Sequence, residues 1–142
     1  MNFRPAIGFV TGYFAWWVLF VVVGTTFGVL WPAYRAAARL MFETGEFSLF
    51  STPMLLLNFL LFLIAGLLTG WLVSLISRNR VAALALALLY FAQMGFNHFH
   101  LVWGKLPDWY NVVVPFVIAA SIALGSRLRK QANDPATAAT PG

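Results

Sequence analysis

The chain of 142 residues contains no cysteine, which removes disulfide frameworks, thiolate metal sites and thiol nucleophiles together. Charge is nearly as scarce. Asp, Glu, Lys and Arg make up 9% of the residues, against roughly 25% in soluble domains, and no acidic residue precedes Glu43. So sparse a set offers no carboxylate pair inside an apolar run for general acid–base work, and no ladder of ionisable groups for a proton to follow. The phosphate-binding P-loop, the nucleophile elbow GxSxG, the zinc helix HExxH and the dinucleotide fingerprint are absent as well. No catalytic residue, cofactor or metal ion is implied.

What fills the chain instead is apolar. Hydrophobic residues make up 61% and aromatic residues 17%, a composition that belongs in a bilayer. The formal charge of +5 does not point to nucleic acid, because the basic residues gather at the ends of apolar runs rather than along one polar face. The expected partners are the lipid bilayer and, beside it, other membrane proteins or further copies of this chain.

A spanning helix needs about 20 mostly apolar residues. Such runs cover 6–31, 54–76 and 81–103. A shorter fourth, over 109–126, contains Pro115 and is expected to bend or to sit where the bilayer thins. The predicted fold is therefore all-α: a polytopic membrane protein with one four-helix transmembrane domain over 1–130 and a disordered tail over 131–142 that is rich in Ala, Thr and Pro. Arg4, Arg78, Arg80, Arg127, Arg129 and Lys130 fall on one side of this arrangement. Arg35, Arg39 and Lys105 fall on the other, where Glu43, Glu46 and Asp108 accompany them. The positive-inside rule then places both termini and the tail in the cytoplasm of an inner-membrane protein. The first run is far longer than the apolar core of about 7–15 residues in a signal peptide, and it carries Trp16 and Trp17 in its middle, so it reads as a retained span.

Between the first two spans, Tyr34, Ala37, Ala38 and Met41 follow helical spacing, with Arg35, Arg39, Glu43 and Glu46 on the opposite face. This predicts a short amphipathic helix on the outer surface, either a solvated connector or a lid. Helix association in lipid depends on close backbone approach at small residues. The pairs Gly8/Gly12, Gly24/Gly28, Gly66/Gly70 and Ser121/Gly125 all have four-residue spacing. Gly8/Gly12 and Gly66/Gly70 fall at the same depth and are expected to meet in one antiparallel contact.

The stretch FAQMGFNHFHLVW, 91–103, breaks the apolar pattern. At 100° per residue, Gln93, Asn97 and His100 share a helix face, whereas His98 and His100 stand about 200° apart and reach one metal only if the helix unwinds. Asn58 in the second span lies at matching depth, as do Thr25, Thr26 and Asn111. An unsatisfied polar group in hydrocarbon costs several kcal/mol or so. Asn58, Gln93, Asn97, His98 and His100 therefore either bond across helices and reach the interface, or line a site for a small polar molecule or lipid headgroup.

Two resemblances bear on this reading. VVVGTTFG in the first span resembles the first helix of small multidrug-resistance transporters, which depends on a glutamate that this span lacks. AGLLTGWLVSLISRNR and PDWYNVVVPFVIAASIALGSRLRK resemble a group of small four-span bacterial membrane proteins of uncharacterised function. The matching positions are Gly66, Gly70, Arg78, Arg80, Pro107, Trp109, Tyr110, Gly125, Arg127 and Arg129. That resemblance implies topology and carries no activity. The expectation is a non-catalytic structural or accessory component, the alternative a small-molecule or lipid-binding protein, transporter or channel-like, using the outer polar cluster.

Overall fold

The computed structural model describes residues 3–128. The expected tail, 131–142, lies outside the described residues, as do Arg129 and Lys130. Helix α1 is Arg4–Leu30, α2 Pro32–Thr44, α3 Thr52–Ser77, α4 Arg80–Asn97 and α5 Asp108–Gly125, and a π-helical turn, His98–Val102, extends α4. Four of these elements, α1, α3, α4 with its extension, and α5, are long and apolar enough to cross a membrane. The fold is all-α, and the spans begin and end within two residues of the expected positions.

The boundaries follow from local chemistry. Proline stands in the first two positions of α1, α2 and α3, where its missing N–H has no helical partner to lose. Pro32 also forces Trp31 out of the helical region, and Trp31 is extended at φ −131° and ψ 92°. One residue thus separates the spanning α1 from α2. Gly45 ends α2 in the left-handed region at φ 72°, so Glu46 lies beyond the helix on whose polar face it was expected. Between α3 and α4 the chain turns in two residues. Arg78 takes φ 54°, and the Asn79 side chain caps α4 by accepting from the Val81 N–H at 2.8 Å. Helix α5 runs unbroken through Pro115.

The spans pack in the cyclic order α1, α3, α5, α4. Side-chain neighbours fix their directions. Gly8 lies against Ser77 and Gly12 against Val73 and Leu86, so α1 is antiparallel to α3 and parallel to α4. Gly66 lies against Ser121, Gly70 against the Ile122 carbonyl, and Gly125 against the Leu67 carbonyl, so α3 and α5 run parallel at backbone contact. The expected meeting of Gly8/Gly12 with Gly66/Gly70 is therefore corrected. Gly8 pairs with Ser77 and Gly12 with Val73, so Gly66 and Gly70 lie farther along α3, beyond that contact, and serve α5 instead. Gly24 is a second correction. A Cβ there would meet nothing within 4 Å, so Gly24 is not a contact point, while Gly28 lies against the Arg35 side chain.

Candidate functional site

The open space beside Gly24 belongs to a cavity of about 460 Å³ at the end of the bundle that carries α2. Its walls come from the last third of α1, the inward face of α2, the start of α3, the π-helical turn and the head of α5. The floor is aromatic. Phe20 and Phe62 stack with ring centroids 5.4 Å apart and planes 20° from parallel, and Trp16 stacks beneath both at 5.5 and 5.9 Å. Rings this large, on helices that meet closely only at their other ends, hold α1 away from α2 and α3 and leave room above them.

Helix α2 forms the roof. Tyr34 and Ala37 are buried, and the Tyr34 hydroxyl donates to Asn58 Oδ1 of α3 at 2.6 Å. Burial pushes the Tyr34 phenol above its usual range, which keeps it a neutral donor. Lys105 donates to the Gly45 carbonyl at 3.1 Å and stands 5.9 Å from the Phe47 ring centre, tying the α4–α5 loop to the far end of α2. This roof is attached at both ends.

A second polar pair lies where the π-helical turn meets α5. Asn111 Nδ2 donates to the Leu106 carbonyl at 3.1 Å, which leaves Asn111 Oδ1 facing His98 Nδ1 at 3.0 Å. An amide oxygen only accepts, so Nδ1 carries the proton and a neutral His98 keeps the lone pair of Nε2. The ring also lies 5.9 Å from that of Tyr110. His98 and Tyr110 both line the cavity.

Of the five candidate binding residues, Asn58 and His98 reach the cavity wall. Gln93 does not line it. Its amide donates to the Tyr13 hydroxyl at 3.4 Å, on the α1–α4 contact where the Tyr90 hydroxyl donates to the Tyr13 carbonyl at 2.8 Å. Asn97 is half-buried on α4 and also outside the wall. His100 is exposed and packs on Phe96 and Phe99, with ring centroids at 4.3 and 5.4 Å. The face expected to unite Gln93, Asn97 and His100 assumed 3.6 residues per turn. The backbone changes to π-helical spacing at His98, which rotates His98 and His100 out of that register. Among the described residues no three His, Asp or Glu side chains converge as metal ligands.

Sequence reasoning missed the aromatic floor and the role of Gly24. It placed Tyr34 on the apolar face of α2, and the phenol's need for a partner once buried was the available signal. It offered no means of choosing Asn58, 24 positions away, as that partner. Charge at the rim is one-sided. Arg35 and Arg39 line the cavity, and no carboxylate does among the described residues. Arg39 bonds Glu43 at 2.6 Å. The Arg35 side chain, one turn earlier, has no hydrogen-bond or ion-pair partner among the described residues. No protein-family model, curated protein or solved structure matches the chain.

Proposed function

We propose that this chain is a bacterial inner-membrane protein with both termini cytoplasmic that binds a small apolar or amphipathic molecule, without catalysing a reaction on it. The observation that carries this reading is the 460 Å³ cavity, which lies in the range of about 300–1,000 Å³ typical of ligand pockets and has their character of apolar walls with a few polar groups. The α2 lid, joined to Asn58 through Tyr34, gives the site a roof.

The orientation draws on the fold. Arg4, Arg78, Arg80 and Arg127 flank the helix ends at one face of the bundle, while Trp31, Trp103 and Trp109 mark the other. Reporters fused after Glu46 and after Lys130 are expected on opposite sides of the membrane, and the same side for both would refute the topology.

Native mass spectrometry of protein released from mild detergent tests the binding. An adduct retained by the natural sequence and lost in Gly24→Leu, which places a side chain in open space, is the expected result. Absence of any adduct, or its persistence in Gly24→Leu, would sink the reading. A second reading, a structural or accessory component whose partners are other membrane helices or a second copy, is favoured by one feature. Val10, Phe14, Val18 and Val22 of α1 are each more than half exposed. A homo-oligomer without an adduct in the same spectrum would select it.

A further inference from the structure

The cavity's chemistry narrows what it can hold. Its floor, the stacked Phe20 and Phe62, offers no hydrogen bond and suits hydrocarbon. Midway up, Asn58 and Tyr34 have already met each other, so a polar group arriving there would have to displace an existing bond. At the rim the balance changes. Arg39 is spent on Glu43, whereas Arg35 presents an exposed guanidinium with no partner among the described residues. Its stem starts beside α1, where the Arg35 Cβ and Cγ lie 3.4 and 3.7 Å from the position a Cβ on Gly28 would take. A guanidinium so placed at the rim offers forked donors that match a carboxylate or a phosphate. An apolar shaft beneath one unspent cation is complementary to a molecule with a hydrocarbon tail and an acidic head.

We propose that the cavity takes a single acyl chain bearing an anionic headgroup, with the chain on the Phe20–Phe62 floor and the headgroup held by Arg35. The inference rests on the reading of the cavity as a ligand site and adds the class of ligand. Fatty-acid carboxylates and single-chain phospholipid phosphates share this chemistry. A positioned cation makes the site prefer either one to an uncharged or zwitterionic molecule of equal chain length, and the preference falls with ionic strength because Arg35 is exposed.

The test is a native mass-spectrometric titration of the full chain with four probes: palmitate, lysophosphatidylglycerol, hexadecanol and palmitoyl lysophosphatidylcholine. Palmitate and lysophosphatidylglycerol are expected to form one-to-one adducts about tenfold tighter than the other two. Arg35→Gln should erase the difference while leaving the weaker binding of hexadecanol in place. Arg35→Lys should restore most of it, and raising the salt should shrink it both in the natural sequence and in Arg35→Lys. The order of the two anionic probes then assigns the headgroup to carboxylate or phosphate. Equal binding of all four, with every adduct lost in Gly24→Leu, overturns the headgroup inference and leaves the cavity reading standing. No adduct, or adducts indifferent to Gly24→Leu, overturns both. Retained helical circular dichroism in Arg35→Gln and Arg35→Lys separates loss of charge from loss of fold.

Discussion

At the end of the bundle that carries Arg4, Arg78 and Arg80, helix backbones meet through glycine and serine. At the end that carries α2, the same helices are held apart by rings. In the first region Gly70 and Gly125 each bring a backbone onto a carbonyl of the partner helix, and Ser74, Ser77 and Ser121 return their hydroxyls to their own helices at 3.0, 2.7 and 2.8 Å. In the second region Phe20, Phe62 and Tyr34 set the spacing, and the buried Tyr34 and half-buried His98 bond across to Asn58 and Asn111 on other elements. The contrast teaches where a four-helix membrane bundle can afford a binding site. Lipid gives helices no hydrophobic reason to associate, so packing has to come from close contact. Concentrating that contact at one end leaves the other free to open.

The contrast breaks most severely at Gly70. Leucine there has to displace the Ile122 carbonyl of α5 and the N–H of Ser126 at its C-terminal cap, which are backbone and cannot swing aside. We expect a loss of about 3 kcal/mol or more, read as aggregation on size-exclusion chromatography after mild heating. Gly125→Leu attacks the same contact from α5 and should match it. Normal thermal stability in both variants would show that backbone approach is not what holds this end.

At the opposite end Tyr34→Phe removes the hydroxyl that reaches Asn58. The Asn58 amide is left short of a partner in a buried place, and the expected cost is about 1 kcal/mol. The loss should be local. Hydrogen exchange is expected to rise over α2, Pro32–Thr44, with α3 and α5 unchanged, since those two are joined elsewhere. Uniform acceleration across the bundle would mean that the lid and the core open as one unit.

Thr69 provides a change of opposite sign at the close-packed end. It is fully buried, and its hydroxyl has no hydrogen-bond partner among the described residues. Valine keeps the shape and removes the unpaired group, so Thr69→Val is expected to raise stability by up to about 1 kcal/mol. A drop in melting temperature would show that the hydroxyl is paired inside the bundle, as to a carbonyl one turn earlier.

The two regions were not equally legible. Each span could be read from composition, because about 20 apolar residues bounded by Arg, Pro or Asn leave few alternatives in lipid. The close-packed end was legible in kind: Gly66, Gly70, Ser121 and Gly125 stood out by spacing, but which helix each row faced did not follow, since Gly66, Gly70, Val73 and Ser77 share one arc of about 60° on α3 and still serve different neighbours. At the cavity end the pattern misled. Gly24 has the spacing of a contact and faces open space, because a small residue reports that a backbone can come close, not that one does. His98 and His100 could not be assigned until the π-helical turn was known, and nothing in HFHLV marks a change in helical register.

Gly24→Leu changes stability least and says most about the comparison. In the purified protein without added amphiphile, the new side chain buries itself without displacing protein atoms, and the net change is expected within about 0.5 kcal/mol. The informative quantity is the response to ligand. A molecule that binds only the folded state stabilises it by RT ln(1 + [L]/Kd), about 2.7 kcal/mol at a hundredfold excess over Kd. Palmitate should therefore raise the melting temperature of the natural sequence in proportion to the logarithm of its concentration and leave Gly24→Leu flat. Equal shifts in the two would mean that the amphiphile acts on the outer apolar surface, which Val10, Phe14 and Val18 also offer. The space beside Gly24 would then be a consequence of aromatic packing rather than a site, and the difference between the two ends would be one of density alone.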